Sequence, residues 1–201
     1  MASTFRPCVA VVPLKPFVEA KTRLSSCLPE AERAALAESM AAHVLAVLTG
    51  VPDLSVVVVS RDAVQRHWAE TEFAAAPLAE AGGGDLNFAL GLAARSLSAG
   101  ATMLVVPGDL PLLQVADVVS AQALPGEPGI VLGPDRHGTG TNLLHVSHPA
   151  EFAWCFGPGS AEAHREVART RGWAVRELRS EGVATDVDEP ADLAFYRSRA
   201  A

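Results

Sequence analysis

Three cations fall within nine residues of the segment Pro13-Leu14-Lys15-Pro16-Phe17-Val18-Glu19-Ala20-Lys21-Thr22-Arg23. The chain around them is acidic, with 16 Lys and Arg against 23 Asp and Glu and a net charge of −7. A loop that gathers Lys15, Lys21 and Arg23 against that balance suits a polyphosphate, whose charge the cations offset and which Arg can grip bidentately. The loop is neither a Walker A sequence nor a G-x-G-x-x-G fingerprint. Asp109, in Val106-Pro107-Gly108-Asp109-Leu110-Pro111, ends a hydrophobic run. A lone carboxylate there suits Mg²⁺, which takes one or two carboxylates and fills its shell with waters and phosphate oxygens. Asp186 and Asp188, two apart in Thr185-Asp186-Val187-Asp188-Glu189-Pro190, point the same way on an extended segment, and one of them could complete a metal site with Asp109.

Two further segments, Gly138-Thr139-Gly140-Thr141-Asn142 and Phe156-Gly157-Pro158-Gly159-Ser160, offer hydroxyls and free backbone N–H groups. With Ser160 opening a helix, the second is an anion site to which a second phosphorylated substrate could dock. Each segment also has a plainer reading. The first loop can be a solvated basic loop and Asp109 a turn cap. Asp188-Glu189-Pro190 can be a helix start, and the glycine segments can be turns.

The elements that must position these residues alternate between strands and helices. Buried strands are expected at Cys8–Val12, Leu54–Val59 and Thr102–Val106, with a weak one at Phe73–Ala76 and later ones at Ile130–Leu132, Thr141–Val146 and Trp173–Leu178. Helices are expected over Pro29–Thr49, from Ser60-Arg61-Asp62 to Trp68, over Asp85–Ser98, Gln114–Ala123, Ser160–Arg171 and Glu189–Arg197. The pattern implies α/β: a Rossmann-like, mainly parallel sheet flanked by helices, with a small antiparallel addition among the later strands. Ligands of such sheets bind beyond the carboxyl ends of strands. That rule selects the loop after Val12, the turn after Val106 and the segment around Asp186.

With 201 residues, 49% hydrophobic and 19% charged, the chain is expected to form one globular domain over 1–201. Its acidity argues against general binding to nucleic acid or to anionic membranes. Cys8, Cys27 and Cys155 form no C-x-x-C pair, so neither a disulfide framework nor a zinc knuckle is expected, and a reducing cytoplasm fits. No run approaches the roughly 20 apolar residues of a membrane span, and Met1–Pro7 does not read as a cleaved signal. His145 and His148 are read as surface histidines, Ser25 and Ser60 lack a nucleophile elbow, and the three tryptophans are read as packing. The Glu and Arg run from Arg165 to Arg179 is read as a solvated face.

Taken in order, Pro13-Leu14-Lys15, Ala20-Lys21-Thr22-Arg23-Leu24, Pro107-Gly108-Asp109-Leu110-Pro111, Gly138–Asn142, Phe156–Ser160 and Asp186-Val187-Asp188 resemble the CofC/FbiD family. These are guanylyltransferases of deazaflavin coenzyme F-420 biosynthesis with the MobA-like, GT-A-like nucleotidyltransferase fold. The resemblance implies transfer of GMP from GTP to phosphoenolpyruvate, 3-phospho-D-glycerate or 2-phospho-L-lactate, with release of pyrophosphate. The Gly157–Ser160 segment resembles the bacterial members, which favours the first two acceptors. By the same resemblance Asp109 and Asp188 hold Mg²⁺, Lys15, Lys21 and Arg23 hold the GTP phosphates, and Thr141, Gly157 and Ser160 hold the acceptor. Gly83 and Asn87 lie near guanine by analogy with related folds. A downstream transferase of the same pathway is the implied partner, and the residues leave a homodimer open. Another MobA-like nucleotidyltransferase, with a molybdopterin or sugar-phosphate acceptor, is the first rival reading. A non-catalytic GTP-binding regulatory protein is the second.

Overall fold

A computed structural model describes residues 6–80 and 85–200. Seven strands form one sheet: β1 (Cys8–Pro13), β2 (Leu54–Ser60), β3 (Ala76–Ala79), β4 (Thr102–Val105), β5 (Gly129–Pro134), β6 (Thr141–Val146) and β7 (Ala174–Glu177). Their order is β3-β2-β1-β4-β6-β5-β7. The pairings are parallel except at β6, which runs antiparallel to both β4 and β5. The expected antiparallel addition is therefore one reversed strand inside the sheet.

Among the described residues seven α-helices form, α1 (Glu30–Thr49), α2 (Ala63–Phe73), α3 (Leu86–Ser96), α4 (Val115–Gln122), α5 (Ser160–Thr170), α6 (Glu181–Ala184) and α7 (Pro190–Ala200). The strand expected at Phe73–Ala76 is displaced. Phe73 ends α2, which runs a turn beyond Trp68, and pairing with β2 begins at Ala76. Its helical turn closes on Ala74, whose N–H bonds back into the helix and whose φ is +53°. Helix α6 was not foreseen. Four residues are too few to show a helical period.

Alternation along the strands feeds two faces. Ala10, Val12, Val58 and Leu104 pack on one face against Ala41, Val44, Leu45 and Leu48 of α1. Val11, Val59, Met103 and Val105 pack on the other against Ala89, Leu90, Ala93 and Ala94 of α3. Each such valine or leucine stabilises the fold by roughly 1.5–3 kcal/mol on burial. Neighbours β1 and β4 therefore lie at the centre of the sheet, and the chain leaves their carboxyl ends into Pro13–Arg23 and Pro107–Asp109. No helix among the described residues is long and apolar enough to cross a membrane.

Candidate active site

The first loop turns back toward the sheet through two short 3₁₀ turns, Phe17–Glu19 and Thr22–Ser26. Between them Lys21 takes the left-handed conformation, φ 54° and ψ 36°, which costs a non-glycine residue about 1–2 kcal/mol. Buried Gln65 of α2 fixes the start of the loop. It accepts from Ser60 Oγ at 2.6 Å and donates to the Lys15 carbonyl at 3.0 Å. The end of the loop is held by a separate small core. Leu24 and Leu28 pack there with Met40, Val187 and Leu193, all buried. Leu24 follows Arg23 and Val187 precedes Asp188, so this cluster seats two segments far apart in sequence side by side.

Their juxtaposition places Lys21 between two carboxylates. Its ammonium donates to Asp109 Oδ2 at 2.7 Å and to Asp188 Oδ1 at 2.8 Å. Those two oxygens are thus separated by no more than the sum of two hydrogen bonds. Asp109 arrives on the turn after β4, where Gly108 allows close approach: a Cβ there would lie 2.3 Å from Leu14 Cδ2. Asp186 meets buried Asn142 instead, whose Nδ2 donates to it at 3.1 Å. Of the two aspartates, Asp188 is the one that shares a cation with Asp109.

The charges respond to one another. Burial alone would lower the Lys21 pKa, but the attraction of Asp109 and then Asp188 outweighs it, and the net direction is up. Burial would raise the Asp188 pKa, yet Lys21, with smaller help from Arg23 and Lys15, holds it below the ordinary carboxylate value. Asp186 moves the other way: burial raises it, and the nearby negative charges of Asp109 and Asp188 add to that.

These groups open on a cavity of about 740 Å³, lined by Lys15, Lys21, Arg23, Asp109 and Asp188 together with Leu14, Pro107, Gly108, Leu86 and Phe156. Lys15 and Arg23 are exposed within it, and Arg23 reaches Glu189 at 3.4 Å. Five of the residues singled out from the sequence therefore share one cavity. The carboxylate pair fits a divalent cation that completes its shell with waters and phosphate oxygens, and the cavity wall supplies cations for a polyphosphate.

Thr141, Gly157 and Ser160 form a second group beside that cavity rather than on its lining. Thr141 and Ser160 are buried. Gly157 has φ +137° and Gly159 +72°, and the Ser160 N–H bonds to the Gly157 carbonyl at 3.1 Å. The Thr139 carbonyl accepts from Ala161 N at 3.0 Å, which joins the two glycine segments. Phe156 connects this group to the cavity. Asn87 is committed to that connection: it donates to the Phe156 carbonyl at 3.0 Å and accepts the Phe156 N–H at 2.7 Å. Gly83 lies outside the described residues.

His145 is not a surface histidine. It is buried, with Nδ1 2.9 Å from the Ala121 carbonyl and Nε2 2.8 Å from Thr102 Oγ1, and burial lowers its pKa to about 4. Sequence reasoning also passed over Gln65, Asn142, Asp192 and His164 as positioning groups. Asp192 accepts the backbone N–H groups of Asp188 and Glu189 and pairs with Arg136. An Asp at the third position of α7, four residues after the candidate ligand Asp188, was the one signal in the sequence for it.

Residues 8–195 match the family model described as guanylyl transferase CofC like. The chain belongs to this family. Among curated relatives, the phosphoenolpyruvate guanylyltransferase of Rubrobacter xylanophilus is 40% identical over 92% of this chain and 91% of its own length. That of Sphaerobacter thermophilus is 37% identical, over 92% of this chain and 90% of the relative. A 3-phospho-D-glycerate guanylyltransferase of Phenylobacterium zucineum is 33% identical over 91% of this chain and 86% of its own. The same fold occurs in a solved nucleotidyl transferase of Methanothermobacter, with a TM-score of 0.68, 16% identity and coverage of 97% of this chain and 98% of that one. The CofC match spans the cationic loop, Asp109, both glycine segments and the Asp186–Asp188 segment, so the cavity and its flank belong to the family domain.

Proposed function

We propose that this chain transfers GMP from GTP to the phosphate of a three-carbon phosphoacid and releases pyrophosphate. The observation that carries this reading is the Asp109–Lys21–Asp188 constellation in a cavity walled by Lys15 and Arg23. Phosphoenolpyruvate is the first acceptor to expect, because several relatives at 37–40% identity carry that name, and 3-phospho-D-glycerate is the second.

An acceptor phosphate is already ionised near neutral pH, so one of its oxygens can attack the α-phosphorus without a general base. A new P–O bond forms to the acceptor as the bond from the α-phosphorus to the bridging oxygen breaks, and the electron pair leaves with pyrophosphate. The barrier is the approach of one anion to another. Lys15, Lys21 and Arg23 lower it by offsetting phosphate charge and by stabilising the charge that grows on the leaving group. Alignment of the two substrates in one cavity supplies much of the remainder.

Asp109 and Asp188 would hold Mg²⁺. Bound there, the ion would add Lewis-acid stabilisation of phosphate oxygens. Lys21 then has two roles in sequence, as counter-ion to the carboxylates and as ligand to the nucleotide phosphates. The same reading carries the deazaflavin coenzyme pathway, a downstream transferase that takes the activated acid, and a place in the cytoplasm.

The test is pyrophosphate release from GTP, CTP and ATP, each with phosphoenolpyruvate, 3-phospho-D-glycerate and 2-phospho-L-lactate. Product mass is read directly or after coupling to the next transferase. Release that requires GTP and one phosphoacid supports the assignment. Absence of release with GTP and every one of the three acceptors rejects it.

A further inference from the structure

His164 of α5 lies between the two glycine segments and belongs to neither. It is fully buried. Its Nε2 lies 3.1 Å from the Cys155 backbone N–H, and its Nδ1 lies 3.1 Å from Thr141 Oγ1. A backbone N–H only donates, so Nε2 must accept. A ring whose Nε2 accepts is neutral and carries its one proton on Nδ1. That proton is directed at Thr141 Oγ1, which therefore acts as acceptor toward the histidine. The threonine keeps its own hydroxyl hydrogen to donate elsewhere, and no second protein partner takes it among the described residues. Burial lowers the His164 pKa to about 4, which keeps the ring in this neutral state at working pH.

The ring also packs against the wall of the cavity. Its centroid is 4.9 Å from that of Phe156, edge to face, and 5.8 Å from that of Phe152. Phe156 lines the cavity, and its main chain is clamped by Asn87. One imidazole thus joins β6, the segment from Cys155 to Phe156 and helix α5.

We propose that His164 is a positioning residue for the phosphoacid side of the site: protonated on Nδ1 alone, it ties Thr141 to the Cys155 main chain, orients the threonine hydroxyl as a donor and fixes the wall that ends at Phe156. The proposal rests on the guanylyl-transfer reading for which substrate feels this wall, and on geometry alone for the tautomer and the tie. His164→Leu removes both hydrogen bonds at similar volume, and His164→Gln retains one acceptor and one donor. His164→Leu should raise the KM for phosphoenolpyruvate roughly ten- to a hundredfold, the worth of one hydrogen bond to a charged group, and leave the KM for GTP unchanged. His164→Gln should recover most of the loss. An equal rise in both KM values, or no rise in a folded His164→Leu protein, overturns the role.

Two measurements on the protein without substrates keep the proposal testable if no acceptor turns over. Nitrogen-15 spectra of the histidine rings should show His164 neutral with its proton on Nδ1. Hydrogen exchange at the Cys155 amide should be slow in the native protein, faster in His164→Leu and slow again in His164→Gln. A proton on Nε2, or Cys155 exchange indifferent to both substitutions, refutes the tie whatever the activity. Failure of transfer with these two results as expected rejects the substrate reading and leaves the tie standing.

Discussion

Replacing Lys21 by Met tests the centre of the site most directly. Met keeps the unbranched apolar stem, one atom shorter, and the same left-handed backbone cost, and it removes the ammonium with its charge and donors. With charge centres about 4 Å apart and an effective dielectric near 20, each carboxylate attracts the ammonium by about 4 kcal/mol. Most of that is returned as desolvation, because the Lys21 side chain is only 8% exposed. The share from Asp188, 48% exposed, is further screened by water. What remains is the cost of leaving partly buried carboxylates without their partner, about 1–3 kcal/mol. In urea unfolding at pH 7 with chelator present, K21M should be less stable by that amount. Its two orphaned carboxylates should also bind a divalent cation without nucleotide more tightly than the native pair does, so Mn²⁺ should restore more stability to the variant than it adds to the native protein.

The pH dependence of the same difference has a defined sign. The folded Asp188 pKa is depressed, so its contribution is present above the unfolded value and is lost as pH falls through the folded one. The folded Lys21 pKa is raised, so its contribution is complete below the unfolded value and is lost as pH rises through the folded one. The gap between native and variant should therefore be widest between roughly pH 4 and pH 10 and close at both ends. Equal stability in chelator, together with an identical response to Mn²⁺, would show that the bridge does not form in solution.

Three other outcomes follow from the same geometry. Asp109→Asn should lower pyrophosphate release by ~10²–10³ or more with the thermal unfolding transition retained, because it removes one charge-stabilising contact at the reacting phosphates. Gly108→Ala should cost about 1–3 kcal/mol by overpacking, since the new Cβ would meet Leu14 Cδ2 at 2.3 Å. Its displacement of Leu14, next to Lys15, should raise the KM for GTP more than the KM for the acceptor. Stability should fall on acidification from pH 7 to pH 5 by about 2 kcal/mol for each buried histidine with a folded pKa near 4, because the unfolded ring takes up a proton there and the folded ring does not. Paired urea melts at the two pH values should show that drop smaller by one histidine's share in His164→Gln.

The sheet was legible because its signal is local. Runs such as Val56–Val59 and Thr102–Val105 are apolar on both faces, and only a strand covered on both sides asks for that. Boundaries were legible where a cap announces them. Asp62 accepts the Val64 N–H at 2.8 Å and starts α2 where the sequence placed it. The strand near Ala76 shifted because its residues, Ala-Pro-Leu-Ala, are mostly exposed on an edge and carry little period. Edge position, rather than composition, decides such a segment.

The site divides along a similar line. Residues whose types are costly to place without a purpose, such as Lys21 in an acidic chain or Asp109 after a buried strand, could be singled out by chemistry and spacing. Residues that hold them in place could not, because their partners are remote: Asn142 finds Asp186 at 44 residues, Lys15 finds Gln65 at 50 and Asn87 finds Phe156 at 69. Each of these amides is an ordinary surface residue until the fold supplies a carbonyl or carboxylate at hydrogen-bond distance. Leu24, Val187 and Leu193 are the extreme case. As single apolar residues they carry no functional mark, yet their small core is what sets Lys21 beside Asp188. Truncating Leu24 would thus disturb the carboxylate pair without touching a charged group.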